Sequence, residues 1–299
     1  MRYTRILLTI LLASAIHPIG AQEHFISLSG EVGEHSWMTK SSHLDPNSSF
    51  GIGGGLGFNY ELQQQHFLFS IGLAANASYS AFSLLPYSTS FRAYDSEGEQ
   101  MNYAYYFTKR SDDYSAVSVQ MPIMLGAQFG RVYFLAGAKL DARVWGQAKA
   151  KALARSDGNY VRYIDYFVDM PEHAFFENYQ ASSVALSSMG FNVLASAEVG
   201  AYLGDVSGKK RYSVRKRADV RYRLALYADY GLLNAYANGD ARLYTTPTTF
   251  NEADMQSGIR LVNILASAER TAPVLPLQIG VKFTMLFHLP KKPVCVICR

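Results

Sequence analysis

Val117-Ser118-Val119-Gln120-Met121-Pro122-Ile123-Met124-Leu125-Gly126-Ala127-Gln128-Phe129 alternates apolar with more polar positions. After Gly130-Arg131 the alternation resumes through Val132-Tyr133-Phe134-Leu135-Ala136-Gly137-Ala138-Lys139-Leu140-Asp141-Ala142-Arg143-Val144. The first arm places Val117, Val119, Met121, Ile123, Leu125, Ala127 and Phe129 on one face, and the second places Val132, Phe134, Ala136, Ala138, Leu140, Ala142 and Val144 on one face. Opposite them on the second arm stand Tyr133, Leu135, Gly137, Lys139, Asp141, Arg143 and Trp145. Successive side chains of a strand point to opposite faces, so the stretch predicts a long hairpin with one apolar face. Each arm is about twelve residues long, where a soluble strand has about five or six. A strand of about 9–11 residues tilted by about 45° crosses a bilayer. Either lipid or a second sheet has to cover that face.

The same period of two recurs along the chain. Ile26, Leu28, Gly30 and Val32 alternate with Ser27, Ser29, Glu31 and Gly33; Ile52, Leu56, Phe58 and Tyr60 alternate with Gly53, Gly55, Gly57, Asn59 and Glu61. Further alternations begin at Phe67, Phe191, Tyr222 and Leu277, which brings the expected count to about eight strands. The intervening segments alternate in length: Leu62–His66 and Gly130-Arg131 are short, whereas Ala81–Asp113, Gln147–Met189 and Asn234–Pro276 are long. Short turns on one side and long loops on the other predict an all-β, transmembrane, antiparallel up-and-down β-barrel with periplasmic turns and extracellular loops. A secreted β-sandwich or lipocalin-like barrel is the alternative, but a sandwich has shorter strands and lacks this rhythm. About eight strands leave an interior filled by side chains, which disfavours a general porin.

Arg2 and Arg5 followed by the apolar run Ile6–Ile16 and the small residues Gly20-Ala21 predict a signal peptide over residues 1–21, cleaved before Gln22. Residues 22–289 are then the barrel and 290–299 a short periplasmic tail. The 21 Tyr and 17 Phe suit the aromatic girdles of a membrane barrel. A formal charge of +4 gives a nucleic-acid partner little support.

The polar faces collect Glu31, Glu61, Lys139, Asp141, Arg143, Glu198, Arg221, Arg223, Asp229 and Lys282. These are either a gated ion path or catalytic cluster, or a network of ion pairs filling the lumen. Charges in a narrow interior are costly unless paired. Both signs occur together, with Asp141 beside Lys139 and Arg143, and Asp229 beside Arg221 and Arg223, which favours the network. The His residues show no metal-ligand spacing, and no cofactor or metal is expected. His173 with Glu172 or Glu177 would be the acid/base pair of an enzyme, but no spacing requires one. Cys295 and Cys298 read as a local disulfide or free thiols in a tail. The basic turn Lys209, Lys210, Arg211, Arg215, Lys216 and Arg217 faces phospholipid headgroups or an acidic partner, or is simply solvated.

Tyr87, Tyr94, Tyr103, Tyr105 and Tyr106 lie within Ala81–Asp113, either as a surface for a carbohydrate or protein ligand or as an upward strand extension whose rings pack together. In Glu252–Glu269, Met255, Ile259, Val262 and Leu265 recur at helical spacing after Asn251, a candidate N-cap. That segment either caps the barrel mouth, lies on the outer leaflet, or is an extended approach to the last strand.

Val119-Gln120-Met121-Pro122-Ile123, Tyr133-Phe134-Leu135-Ala136-Gly137-Ala138-Lys139 and Leu275-Pro276-Leu277-Gln278-Ile279-Gly280-Val281-Lys282-Phe283 resemble the PorT-like and OmpA-type outer-membrane barrels of Bacteroidota. The resemblance spans about Phe25 to Leu289 and implies an outer-membrane barrel without the periplasmic domain that holds peptidoglycan in many members. The expected role is non-enzymatic, structural or interactive, with outer-membrane lipid, lipopolysaccharide and an extracellular ligand or envelope protein as partners. An accessory barrel of a secretion system and a rim-sited lipid-modifying enzyme are the alternatives.

Overall fold

The computed structural model describes residues 22–45, 49–94, 98–161, 176–186, 189–203, 220–236, 242–246 and 259–289. The segment 1–21, the basic turn between Lys209 and Arg217, His173 with Glu172, and the Cys295/Cys298 tail lie outside the described residues, as does the side chain of Glu177. The strands are β1 (Glu23–Met38), β2 (Phe50–Gln64), β3 (Phe67–Leu84), β4 (Tyr87–Tyr94), β5 (Gln100–Phe129), β6 (Val132–Tyr160), β7 (Phe176–Leu186), β8 (Gly190–Leu203), β9 (Val220–Gly231), β10 (Tyr244–Thr245), β11 (Arg260–Leu261) and β12 (Leu275–Leu289). The main sheet has ten antiparallel strands. Eight of them, β1, β2, β3, β5, β6, β8, β9 and β12, pair in succession, and β12 pairs back onto β1 from His24↔Leu289 to Met38↔Leu275. The ring therefore closes through the first and last strands.

Two-residue turns at Gln65-His66 and Gly130-Arg131 join β2 to β3 and β5 to β6 at one end of the ring. Gly130 has φ 62° and Gln65 φ 53°, the left-handed backbone that tight hairpins need. The first and last strands begin and finish at this same end. At the other end β5 and β6 run on as strands of 30 and 29 residues, flanked by β4 on one side and β7 on the other. Ala81–Asp113 and Gln147–Met189, expected as loops, are thus in large part a continuation of the sheet. The apolar period persists beyond the ring because a second structure, the segment before β12, covers one face of the extension.

Two register shifts reset which residues face inward. Val144 in β6 is skipped, since Arg143 pairs with Ser118 and Trp145 with Val117. A bulge of this kind adds one residue to one strand and reverses the facing of the residues beyond it. Trp145, expected on the polar face with Lys139, Asp141 and Arg143, is consequently exposed on the outside beside Val144. The second shift skips Thr108 in β5, so Tyr103, Tyr105 and Phe107 share an inner face with Arg110 and Asp112. Pro122 has no N–H, and the β3–β5 ladder passes from Ile71↔Ile123 to Ala74↔Gln120 without pairing Gly72 and Leu73.

The ring is apolar outside and polar within. Leu56, Leu226 and Phe129 are 75%, 62% and 69% exposed, and exposed apolar residues occur on every strand of the ring. The inward positions of upper β2 are glycines, and a Cβ on Gly53 would lie 2.3 Å from His35 Nδ1. Gly30, by contrast, faces outward with only Leu56 Cδ2 at 3.7 Å. Gly53→Val is expected to lower stability by about 1–3 kcal/mol through overpacking, and Gly30→Ala to leave it near the parent's. Urea unfolding measures both.

Candidate functional site

Inward-facing charges come from strands far apart in sequence, and the ring closure brings them within contact. At the turn end Arg221 lies 3.0 Å from Glu23 and donates to Gln63. One layer up, the Arg223 guanidinium pairs with Glu61, with its carbon 4.6 Å from the Tyr133 ring centroid and 5.4 Å from that of Tyr202. Tyr133 donates to Glu198 at 2.5 Å, and Lys282 binds the other carboxylate oxygen at 2.9 Å. In the middle layer Lys139 sits 2.7 Å from Asp229 and 3.6 Å from Glu31. Ser196 donates to Asp229, Asn76 to Glu31, and His35 Nε2 lies 2.8 Å from the Tyr227 hydroxyl. Above it Gln120 donates to Asp141, and Arg143 stacks over Tyr236 at 4.6 Å.

The ten charged residues expected on polar faces therefore all turn toward the lumen, but their partners differ from those suggested by neighbours in the chain. Asp229 pairs with Lys139 of β6 rather than with Arg221 or Arg223 of its own strand. Residues at i and i+2 on a strand share a face about 7 Å apart, whereas side chains crossing a narrow barrel meet directly. Two lumen cavities, ≈ 20 Å³ beside His35 and Arg143 and ≈ 10 Å³ between Glu31 and Lys139, have room for about one water each. Such an interior holds the strands together. Among the described residues no group of three or more His, Cys, Asp or Glu is arranged to hold a metal ion.

The mouth is covered by the segment that precedes β12. The first part of the expected helical stretch, with Asn251 and Met255, lies outside the described residues; the described part holds a 3-10 turn, Ile264–Ala266, capped by Asn263. Ile264 and Leu265 are buried against Phe82, Leu84, Tyr114 and Val274. Further out, Ile259 and Leu261 pack on Ala93, Met101, Tyr103, Tyr105 and Phe107 of the extended sheet. Tyr103 and Tyr105 are fully buried there and present no surface for a partner, and Tyr87 stacks on Phe107 at 4.7 Å. Tyr94 and Tyr106 remain about half exposed.

Arg110 and Asp112, which sequence reasoning passed over as loop residues, clasp this cover. Arg110 grips Asp112 with two hydrogen bonds of 2.9 and 3.0 Å and donates to the carbonyls of Leu243 and Val262 and to the Tyr87 hydroxyl. Asp112 in turn accepts from the Ile264 N–H at 2.6 Å. Burial raises the Tyr87 phenol above its usual range, so it stays a neutral acceptor beside the guanidinium. The signal was present in the sequence as a polar pair at i and i+2 continuing the alternation of Tyr114 and Ala116, but the bonds by which that pair holds the carbonyls of Leu243 and Val262 and the Ile264 N–H have no local signature.

Comparison with known protein families and with curated proteins gives no match.

Removing one member of a buried ion pair strands the other charge, at about 3–5 kcal/mol. Glu61→Gln and Arg223→Gln are each expected to destabilise by about that amount, and the double variant by less than their sum, in a double-mutant cycle on urea unfolding. Arg110→Ala is expected to expose the cover segment from Ile259 to Ala266 to limited proteolysis while the ring stays intact; equal protease resistance of variant and parent would contradict the clasp.

Proposed function

We propose that this protein is an outer-membrane β-barrel whose packed lumen makes it a rigid post, with the extended β4–β7 sheet and its cover presented outside the cell. The observation that carries this reading is the apolar band. Monomeric soluble proteins rarely expose contiguous apolar patches above a few hundred Å², whereas here every strand of the ring presents apolar side chains outward. Between Phe129 and Val117 the band covers twelve steps of β5, about 30 Å once strand tilt is allowed for, which matches a hydrocarbon core. Closure of the ring satisfies the other demand of lipid, that no sheet edge lie in it. No helix among the described residues is long and apolar enough to cross a membrane, which says nothing about a barrel.

The role is structural or interactive rather than catalytic. The lumen carboxylates Glu31, Glu61, Glu198 and Asp229 each contact a cation, as an interior built for rigidity requires. Long strands, small lumen cavities, a covered mouth and an exposed outer sheet suit a protein that positions a surface for lipid or an envelope partner. The resemblance to PorT-like and OmpA-type barrels supports the same placement.

The gel migration of unheated against boiled outer-membrane extract tests the reading: a folded barrel resists detergent and shifts on boiling, while recovery of only soluble, heat-insensitive protein would overturn it. Leu226→Arg, near the middle of the band, is expected to destabilise the protein in vesicles by about 2–4 kcal/mol.

A further inference from the structure

The outward face of the extended sheet changes character above the apolar band. Val117 and Trp145 mark the last row of the band on β5 and β6. The next outward rows, read across β3, β5, β6 and β7, are Tyr79, Ser115, Gln147 and Leu186, then Ala81, Asp113, Lys149 and Val184, then Ser83, Ser111, Lys151 and Ser182. The following row carries Lys109, Leu153 and Gln180, with the bulged Thr108 beside it. Lys109, Lys149 and Lys151 are all exposed. A recess of ≈ 770 Å³ opens on this face, lined among others by Ser83, Lys109, Ser111, Lys151, Gln180 and Ser182. Three ammonium groups thus climb the sheet over hydroxyls and an amide, each row about 7 Å above the last. Asp113, the carboxylate in these rows, is engaged by the Tyr79 hydroxyl.

We propose that this face binds the phosphorylated sugar headgroup of an outer-leaflet glycolipid, with Lys109, Lys149 and Lys151 on its phosphates and the Ser and Gln side chains on its sugar hydroxyls. The site rests on the outer-membrane reading, which sets the height of these rows at the headgroups. Three observations select the ligand. The cations begin two rows above Val117 and Trp145, with Tyr79 and Leu186 in the row between, so a molecule with acyl chains on Val117, Trp145 and Leu186 carries its phosphates to Lys149 and Lys151. Their spacing over successive rows fits several phosphates on one headgroup better than a single small anion. The hydroxyl and amide groups between the cations supply neutral donors and acceptors for sugar hydroxyls. Ammonium groups near an anionic leaflet are drawn to it, and two of the three, Lys109 and Lys151, line one recess.

The test uses the full chain in nanodiscs, with bis-phosphorylated lipid A, phosphatase-treated lipid A and inorganic phosphate as probes, and native mass spectrometry to count retained lipid. The parent is expected to retain the phosphorylated form about tenfold better than the treated form. The double variant K109Q/K151Q is expected to lose that preference, K109R/K151R to keep it, and millimolar inorganic phosphate to leave it unchanged. Equal retention of the two lipids by the parent, an unaltered preference in K109Q/K151Q, or displacement by inorganic phosphate would each overturn the proposal. The boiling-dependent gel shift of the same samples separates the two readings. With the shift present, a failed preference removes the glycolipid site alone; without it in the parent, the membrane reading falls as well.

Discussion

The antiparallel ladder between β1 and β12 is the constraint on which the rest depends. It joins the first and last strands over fifteen register pairs and removes the two edges that an open eight-stranded sheet would leave. An unpaired backbone group away from water costs several kcal/mol, so a band of Leu, Val and Phe that is shielded from water is tolerable only on a closed ring. Closure then fixes the interior. Eight strands enclose a space that side chains must fill, and the residues alternating with the apolar band are the ones that fill it.

That interior is charged, and its stability depends on matching. Lys139 lies between Asp229 and Glu31, Arg223 meets Glu61 between two tyrosine rings, and Lys282 meets Glu198. These contacts link β6 to β1 and β9, β2 to β9, and β8 to β12, so strands that are not hydrogen-bonded neighbours are tied across the lumen. Upper β2 contributes glycine where others contribute bulk, which leaves room for the His35 ring and the Asn76 amide. Outside the ring the same economy recurs: Arg110 and Asp112 satisfy loop carbonyls and an N–H that would otherwise be buried without partners.

Much of this was legible in the sequence because the barrel imposes a period of two that survives in any single strand. The alternation from Val117 to Val144 located a hairpin, its turn and its apolar face, and the inward set from Glu31 to Lys282 came from parity alone. Parity fails at a bulge. One extra residue at Val144 moved Trp145 outside, and one at Thr108 reset the facing of Tyr103 to Phe107, where the sequence left a ligand surface and a strand extension both open. Partners across the lumen were illegible for a different reason: which strand faces which is set by closure, a non-local property. The cover over the mouth was half legible, since the apolar positions Ile259 and Leu265 are buried as their pattern required, and the described chain around Leu265 takes the form of a short 3-10 turn.

The two tryptophans of the chain report on the two faces of the ring. Trp145 projects from the outside at the upper edge of the apolar band, and Trp37 packs inside the mouth against Tyr114 and Tyr236. Single-tryptophan proteins, W37F and W145F, reconstituted in vesicles with phospholipids brominated at shallow or deep acyl positions, measure which face meets lipid. Strong quenching of Trp145 by the shallow bromines, with Trp37 unquenched, is the predicted result. Quenching of Trp37, or none at Trp145, would contradict a lipid-facing band around a closed, packed ring.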